Sequence, residues 1–88
     1  MRVVAVAKDN TDYTRAVSEF LEAFRRQTGR ELELLDPETR EGESFCRTYD
    51  IVEYPSIVAL SNDGQVQYMW RGAMLPTISE VSYYATQD

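Results

Sequence analysis

Apolar residues along the chain switch between continuous runs, helical spacing and strict alternation, and each switch marks an element. Val3 to Ala7 is a short apolar run, the pattern of a central strand. After the polar stretch Lys8-Asp9-Asn10-Thr11-Asp12, apolar positions fall at Tyr13, Ala16, Val17, Phe20, Leu21 and Phe24, which is the spacing of one helix face. Thr28-Gly29 ends that helix, glycine being suited to a helix C-terminus. Leu32 and Leu34 then alternate with Glu31 and Glu33, and Leu35 continues a short second strand. Strand, helix and strand in that order predict a βαβ unit with parallel strands.

In the second half, Asp36-Pro37-Glu38 reads as a helix cap with proline at the first helical position. Gly42 weakens continuity there, so regular helix is expected over 43–49, with Phe45 and Tyr49 on one face. Ile57 to Leu60 is almost wholly apolar, as in a strand covered on both faces. Asn62-Asp63-Gly64 tolerates positive φ and predicts a hairpin. From Gln65 to Trp70 the pattern alternates, placing Val66, Tyr68 and Trp70 on one face. Gly72 to Pro76 turns the chain into a last helix. Thr77-Ile78-Ser79-Glu80 fits a capping box there, and Ile78, Val81 and Tyr84 or Ala85 form the apolar stripe. The expected order is β-α-β-α-β-β-α in one α/β domain spanning 1–88, without repeats or linkers.

The stretch Tyr49 to Gly72 resembles the C-terminal half of the thioredoxin fold. There a Tyr-x-Ile-x-x-x-Pro segment, here Tyr49, Ile51 and Pro55, precedes an antiparallel hairpin, a glycine and a final helix. The whole order resembles a minimal, glutaredoxin-sized version of that fold. The resemblance implies a four-stranded mixed sheet with helices on both faces and a cis bond at Tyr54–Pro55. In redox-active relatives this bond holds the neighbouring backbone open to pair with a bound peptide. Their Cys-x-x-Cys pair sits between the first core strand and the first helix, whose N-terminus stabilises the attacking thiolate. Here that loop is Asp9-Asn10-Thr11-Asp12-Tyr13, with neither cysteine and no serine in place of one. The family's dithiol chemistry is therefore not carried over.

Composition narrows the function further. With 88 residues the core must be efficient, and 43% hydrophobic residues can supply it. A net charge of −6 without histidine disfavours nonspecific nucleic-acid binding and anionic membranes. No apolar stretch approaches the roughly 20 residues of a membrane span, and no leader-type segment is read at the N-terminus. Cys46 is the sole cysteine, so no intrachain disulfide forms, which suits a reducing cytoplasm. Lying beside Phe45, it reads as a buried structural thiol. Asp9 and Asp12 read as helix-capping carboxylates rather than a metal or acid–base pair, since no third ligand is near in sequence.

The expectation is a protein-binding or assembly module on a thioredoxin-like fold, without dithiol redox activity, cofactor or metal. Its contact surface is the old active-site face, formed by Asp9, Asn10, Thr11, Asp12, Tyr13, Tyr54, Pro55, Gly72 and Ala73, or the strand edge around Gln65 to Trp70. Its partner is a protein or peptide, with no nucleic acid, no membrane and no oligomeric state assigned. The alternative is a divergent thiol oxidoreductase using Cys46 with a partner's thiol, which requires Cys46 to be accessible and near Pro55. Small-molecule binding of a glutathione-like thiol peptide at the same face is disfavoured by the acidic loop, because such a ligand carries carboxylates.

Overall fold

A computed structural model describes residues 1–72 and 74–86. The expected order holds: β1 (Arg2–Val6), α1 (Thr14–Thr28), β2 (Glu33–Leu35), α2 (Arg40–Tyr49), β3 (Ser56–Leu60), β4 (Val66–Arg71) and α3 (Ile78–Ala85). The strands form one mixed sheet in the order β2-β1-β3-β4. β1 runs parallel to β2 and antiparallel to β3, and β3 runs antiparallel to β4.

Alternation along the two central strands divides the core. Val4, Val6, Val58 and Leu60 face α2, where they meet Phe45, Cys46 and Ile51. Val3, Ala5, Ile57 and Ala59 face the other side, against Phe24 of α1 and Val81 of α3. Every residue of β3 is buried, as its apolar run predicts. Among the described residues no helix is long and apolar enough to cross a membrane.

The helix ends correct parts of the sequence reading. Neither Asp9 nor Asp12 caps α1: the N-cap is Tyr13, which makes no side-chain capping bond. The Asp9 carboxylate instead accepts the adjacent Asn10 N–H at 3.0 Å. Thr14 Oγ accepts the Thr11 N–H at 2.8 Å and organises the turn that the carboxylates were expected to hold. Ala16, assigned to the buried face, is exposed, and Val17 and Phe24 carry that face. At the other end Gly29 adopts a φ of 73° and donates its N–H to Arg25 O, closing the helix as expected.

The second helix also begins earlier than residue 43, and Gly42 lies within it. Thr39 is the N-cap, its Oγ accepting the Gly42 N–H at 3.0 Å. Asp36 shapes the turn before it, accepting the Glu38 N–H through its carboxylate. Gly42 is buried, and a Cβ at this position would stand 1.8 Å from the Asp36 carbonyl oxygen. What reads as a helix breaker is the one residue small enough for this approach.

In the hairpin, the pairing slips between Ala59 and Leu60. Tyr68 stands opposite Ala59, but Val66 stands opposite Leu60, so Val66 leaves the row expected for it and remains exposed. The last helix carries the expected capping box between Thr77 and Glu80.

Gly42→Ala tests the close approach. At an ordinary helical position this change stabilises by up to about 1 kcal/mol. Here the overlap with backbone should reverse the sign and cost at least about 2 kcal/mol, read from chemical denaturation.

Candidate functional site

The register of the central strands brings the β1–α1 loop and the segment before β3 to one end of the sheet. Val6 pairs with Ser56, so Lys8 leaves the sheet close to where Tyr54–Pro55 enters it. The Tyr54–Pro55 peptide is cis. Ser56, buried at the head of β3, donates its hydroxyl to the Glu53 carbonyl at 2.6 Å and closes the turn around both residues. Gly72 lies alongside, donating its N–H to the Pro55 carbonyl at 2.9 Å. Among the described residues, neither the N–H nor the C=O of Tyr54 takes part in a backbone hydrogen bond. Ala73, the last residue assigned to this face, lies outside the described residues.

The side chains fit together around Tyr54. Its ring packs on the α2-side core and its hydroxyl donates to the Ile51 carbonyl at 3.3 Å. The Lys8 ammonium stands 5.4 Å from the ring centroid, in range for a cation–π contact. The Lys8 backbone N–H reaches the Tyr13 hydroxyl at 3.3 Å, and Thr14 donates its hydroxyl to the Lys8 carbonyl. Burial raises the Tyr54 pKa above the usual tyrosine value, and the neighbouring Cys46 thiol and Tyr13 hydroxyl reinforce the shift.

Of the residues assigned from sequence, Tyr13, Tyr54, Pro55 and Gly72 are therefore held in place by contacts within this region. Asp9, Asn10 and Asp12 form its exposed rim, with Asn10 at a φ of 54°, and Thr11 is tied to Thr14. Three contributors were missed. Lys8 and Thr14 carried only a polar-loop signal, but Ser56 was detectable as a serine leading an otherwise apolar strand. Cys46 is 8% exposed and contributes to the core beneath Tyr54. It is thus near the Tyr54–Pro55 turn, as the thiol-enzyme alternative requires, but not accessible.

A cavity of about 510 Å³ opens on the β2 side of the same loop. Val17, Leu34 and Leu35 give it an apolar wall, while Lys8, Asp9, Asp36 and Glu41 supply charges of both signs; Tyr54 and Pro55 do not line it. Among the described residues no three histidine, cysteine or carboxylate side chains are grouped to hold a metal ion. Among the described residues, the arrangement sets a Tyr54 backbone without a backbone partner beside an aromatic ring and a cation.

Comparison with solved structures identifies the architecture. The chain is similar to thioredoxin 1 from the thermophilic eubacterium Thermosipho africanus TCF52B, with a TM-score of 0.68 at 15% identity over 97% of this chain and 90% of that one. A malarial protein matches with a TM-score of 0.66 at 14% identity, over 94% and 90% of the respective chains. A thioredoxin from Thermus thermophilus matches with a TM-score of 0.61 at 15% identity, over 94% of this chain and 69% of that one. No protein-family model matches the chain, and no curated protein does. The fold is thioredoxin-like.

Two measurements probe the site. Cys46 in the native protein should react with a thiol reagent at least about a hundredfold more slowly than in urea, since access requires an opening of about 3 kcal/mol or more. Tyr54 holds its proton more tightly when folded, so its contribution to stability is intact below the unfolded tyrosine pKa of about 10 and is lost as pH rises through the folded value. The urea midpoint should accordingly fall above pH ~10, and Tyr54→Phe should make that alkaline decline shallower.

Proposed function

We propose that this thioredoxin-like chain is a protein-binding module that receives an extended segment of a partner at the Tyr54–Pro55 turn and performs no dithiol exchange. The observation that carries this reading is a Tyr54 backbone without a backbone partner among the described residues, in a site whose one nearby thiol, Cys46, is buried. A strand laid there pairs with the Tyr54 N–H and C=O, while Lys8, Tyr13 and the exposed Asp9–Asp12 rim meet its side chains. Disulfide exchange needs a thiolate that can reach a partner's sulfur. The loop from Asp9 to Tyr13 offers none. The single thiol suits a reducing compartment, and we assign the protein to the cytoplasm.

The competing reading, an oxidoreductase working through Cys46, predicts different behaviour in one experiment. The full chain and its Cys46→Ser and Tyr54→Ala variants are immobilised and challenged with host extract, after circular dichroism confirms that each is folded. A binding module retains the same partner with Cys46→Ser, retains about tenfold less with Tyr54→Ala, and yields no mixed disulfide on a non-reducing gel. Loss of the partner with Cys46→Ser, or turnover of insulin disulfides above the uncatalysed rate with a thiol donor, would move the assignment to the oxidoreductase.

A further inference from the structure

The far edge of the sheet carries a second surface, built from residues separate from the Tyr54–Pro55 turn. β4 is the terminal strand in the order β2-β1-β3-β4, so its outer backbone edge has no strand partner among the described residues. From Gln65 to Trp70 it carries no charge and no proline, two of the devices that protect an exposed edge, and its pairing is irregular only at the slip opposite Ala59 and Leu60. Tyr68 and Trp70 lie with ring centroids 4.9 Å apart, and Tyr84 of α3 stands 5.8 Å from the first and 5.5 Å from the second. Tyr83 meets Tyr84 edge-on at 5.2 Å. These rings line a shallow groove of about 400 Å³ in which Tyr68 and Tyr83 remain 49% and 63% exposed. Glu80 is its one charged lining residue, with an oxygen accepting both the N–H and the hydroxyl of Thr77. Those bonds hold the Glu80 carboxyl below the usual carboxylate range and keep it ionised.

We infer that the β4 edge takes an extended strand of a partner protein that carries arginine or lysine at alternate positions. Backbone pairing along β4 supplies register, and alternate side chains of the incoming strand fall on the aromatic face. A cation there is attracted by the tyrosine and tryptophan rings and by the Glu80 carboxylate. The chain's net charge of −6 favours the same partner at longer range. A second copy fits less well. Its β4 brings a single cation, Arg71, at the strand's end, its β2 brings Glu33, and two acidic chains repel.

Trp70 is the only tryptophan, so its fluorescence reports on this groove directly. The probe is an end-blocked peptide of alternating arginine and threonine, roughly eight residues long, enough to span one strand. It should change Trp70 emission saturably, with affinity about tenfold lower for Glu80→Gln and for Tyr83→Ala. Tyr83→Ala alters an exposed residue, so it decides the matter if Glu80→Gln disturbs the capping box. A matching glutamate–threonine peptide, and the arginine peptide with alternate amides N-methylated, should not bind. The inference is overturned by the absence of a saturable response, by equal binding of either control peptide, or by unchanged affinity in Tyr83→Ala. A concentration-dependent dimer that Tyr83→Ala dissociates would overturn it too, by assigning the edge to a second copy.

Discussion

The antiparallel pairing of β1 with β3, buried on both faces, is the constraint on which the rest of the molecule depends. Each strand sends alternate side chains into two separate apolar clusters, so α2 must cover one face while α1 and α3 cover the other. Burying a valine, isoleucine or leucine side chain contributes roughly 1.5–3 kcal/mol, and these strands contribute such side chains to both clusters. A shift of register by one residue would exchange the two sets of side chains and break both clusters at once. The pairing is therefore fixed closely, and it places the candidate site: with Val6 opposite Ser56, the residues that follow β1 and precede β3 emerge together.

The loop at that juxtaposition, from Asp9 to Tyr13, contains no cysteine. Lys8, Tyr13 and Tyr54 set a cation and two phenols there, and Tyr13, the N-cap of α1, makes no side-chain capping bond. Ser56 keeps the turn closed by satisfying its buried hydroxyl on the Glu53 carbonyl, so no polar side-chain atom is left buried and unpaired among the described residues. Cys46 takes part in the core that supports this face and is screened from the face itself.

The two sheet edges are treated differently. At β2, Arg2 donates to both carboxylate oxygens of Glu33, at 2.6 and 2.8 Å, and its guanidinium lies 5.5 Å from the Phe45 ring. This fork pins the short edge strand to its neighbour and links it to α2, and it lowers the Glu33 pKa while raising that of Arg2. At β4 no charge performs that service within the strand until Arg71, and the slip after Ala59 leaves Val66 exposed. The ring of Tyr84 from α3 packs against Tyr68 and Trp70 of this strand instead.

How far the sequence spoke for itself depended on the range of the interactions involved. Periodicity marked every strand and helix, because burial on one or two faces leaves a direct imprint on which positions are apolar. The capping box at Thr77, the Gly29 stop and the Phe45–Tyr49 pair, whose rings lie 4.8 Å apart, were legible because they are made within one or two helical turns. The Tyr49 to Gly72 pattern also carried the fold class, since strand, turn and glycine positions there are locally encoded. Gly42 was misread for the opposite reason: its size is demanded by a backbone carbonyl of the preceding turn, and propensity alone counts glycine as a defect. Val66 was misplaced because a register slip depends on the partner strand. Asp9 and Asp12 looked like caps until the turn geometry gave that organising role to Thr14. Tertiary structure alone set Lys8 over Tyr54 and placed Tyr68 and Trp70 against Tyr84, because each of those contacts joins elements that only the paired and covered sheet brings within reach.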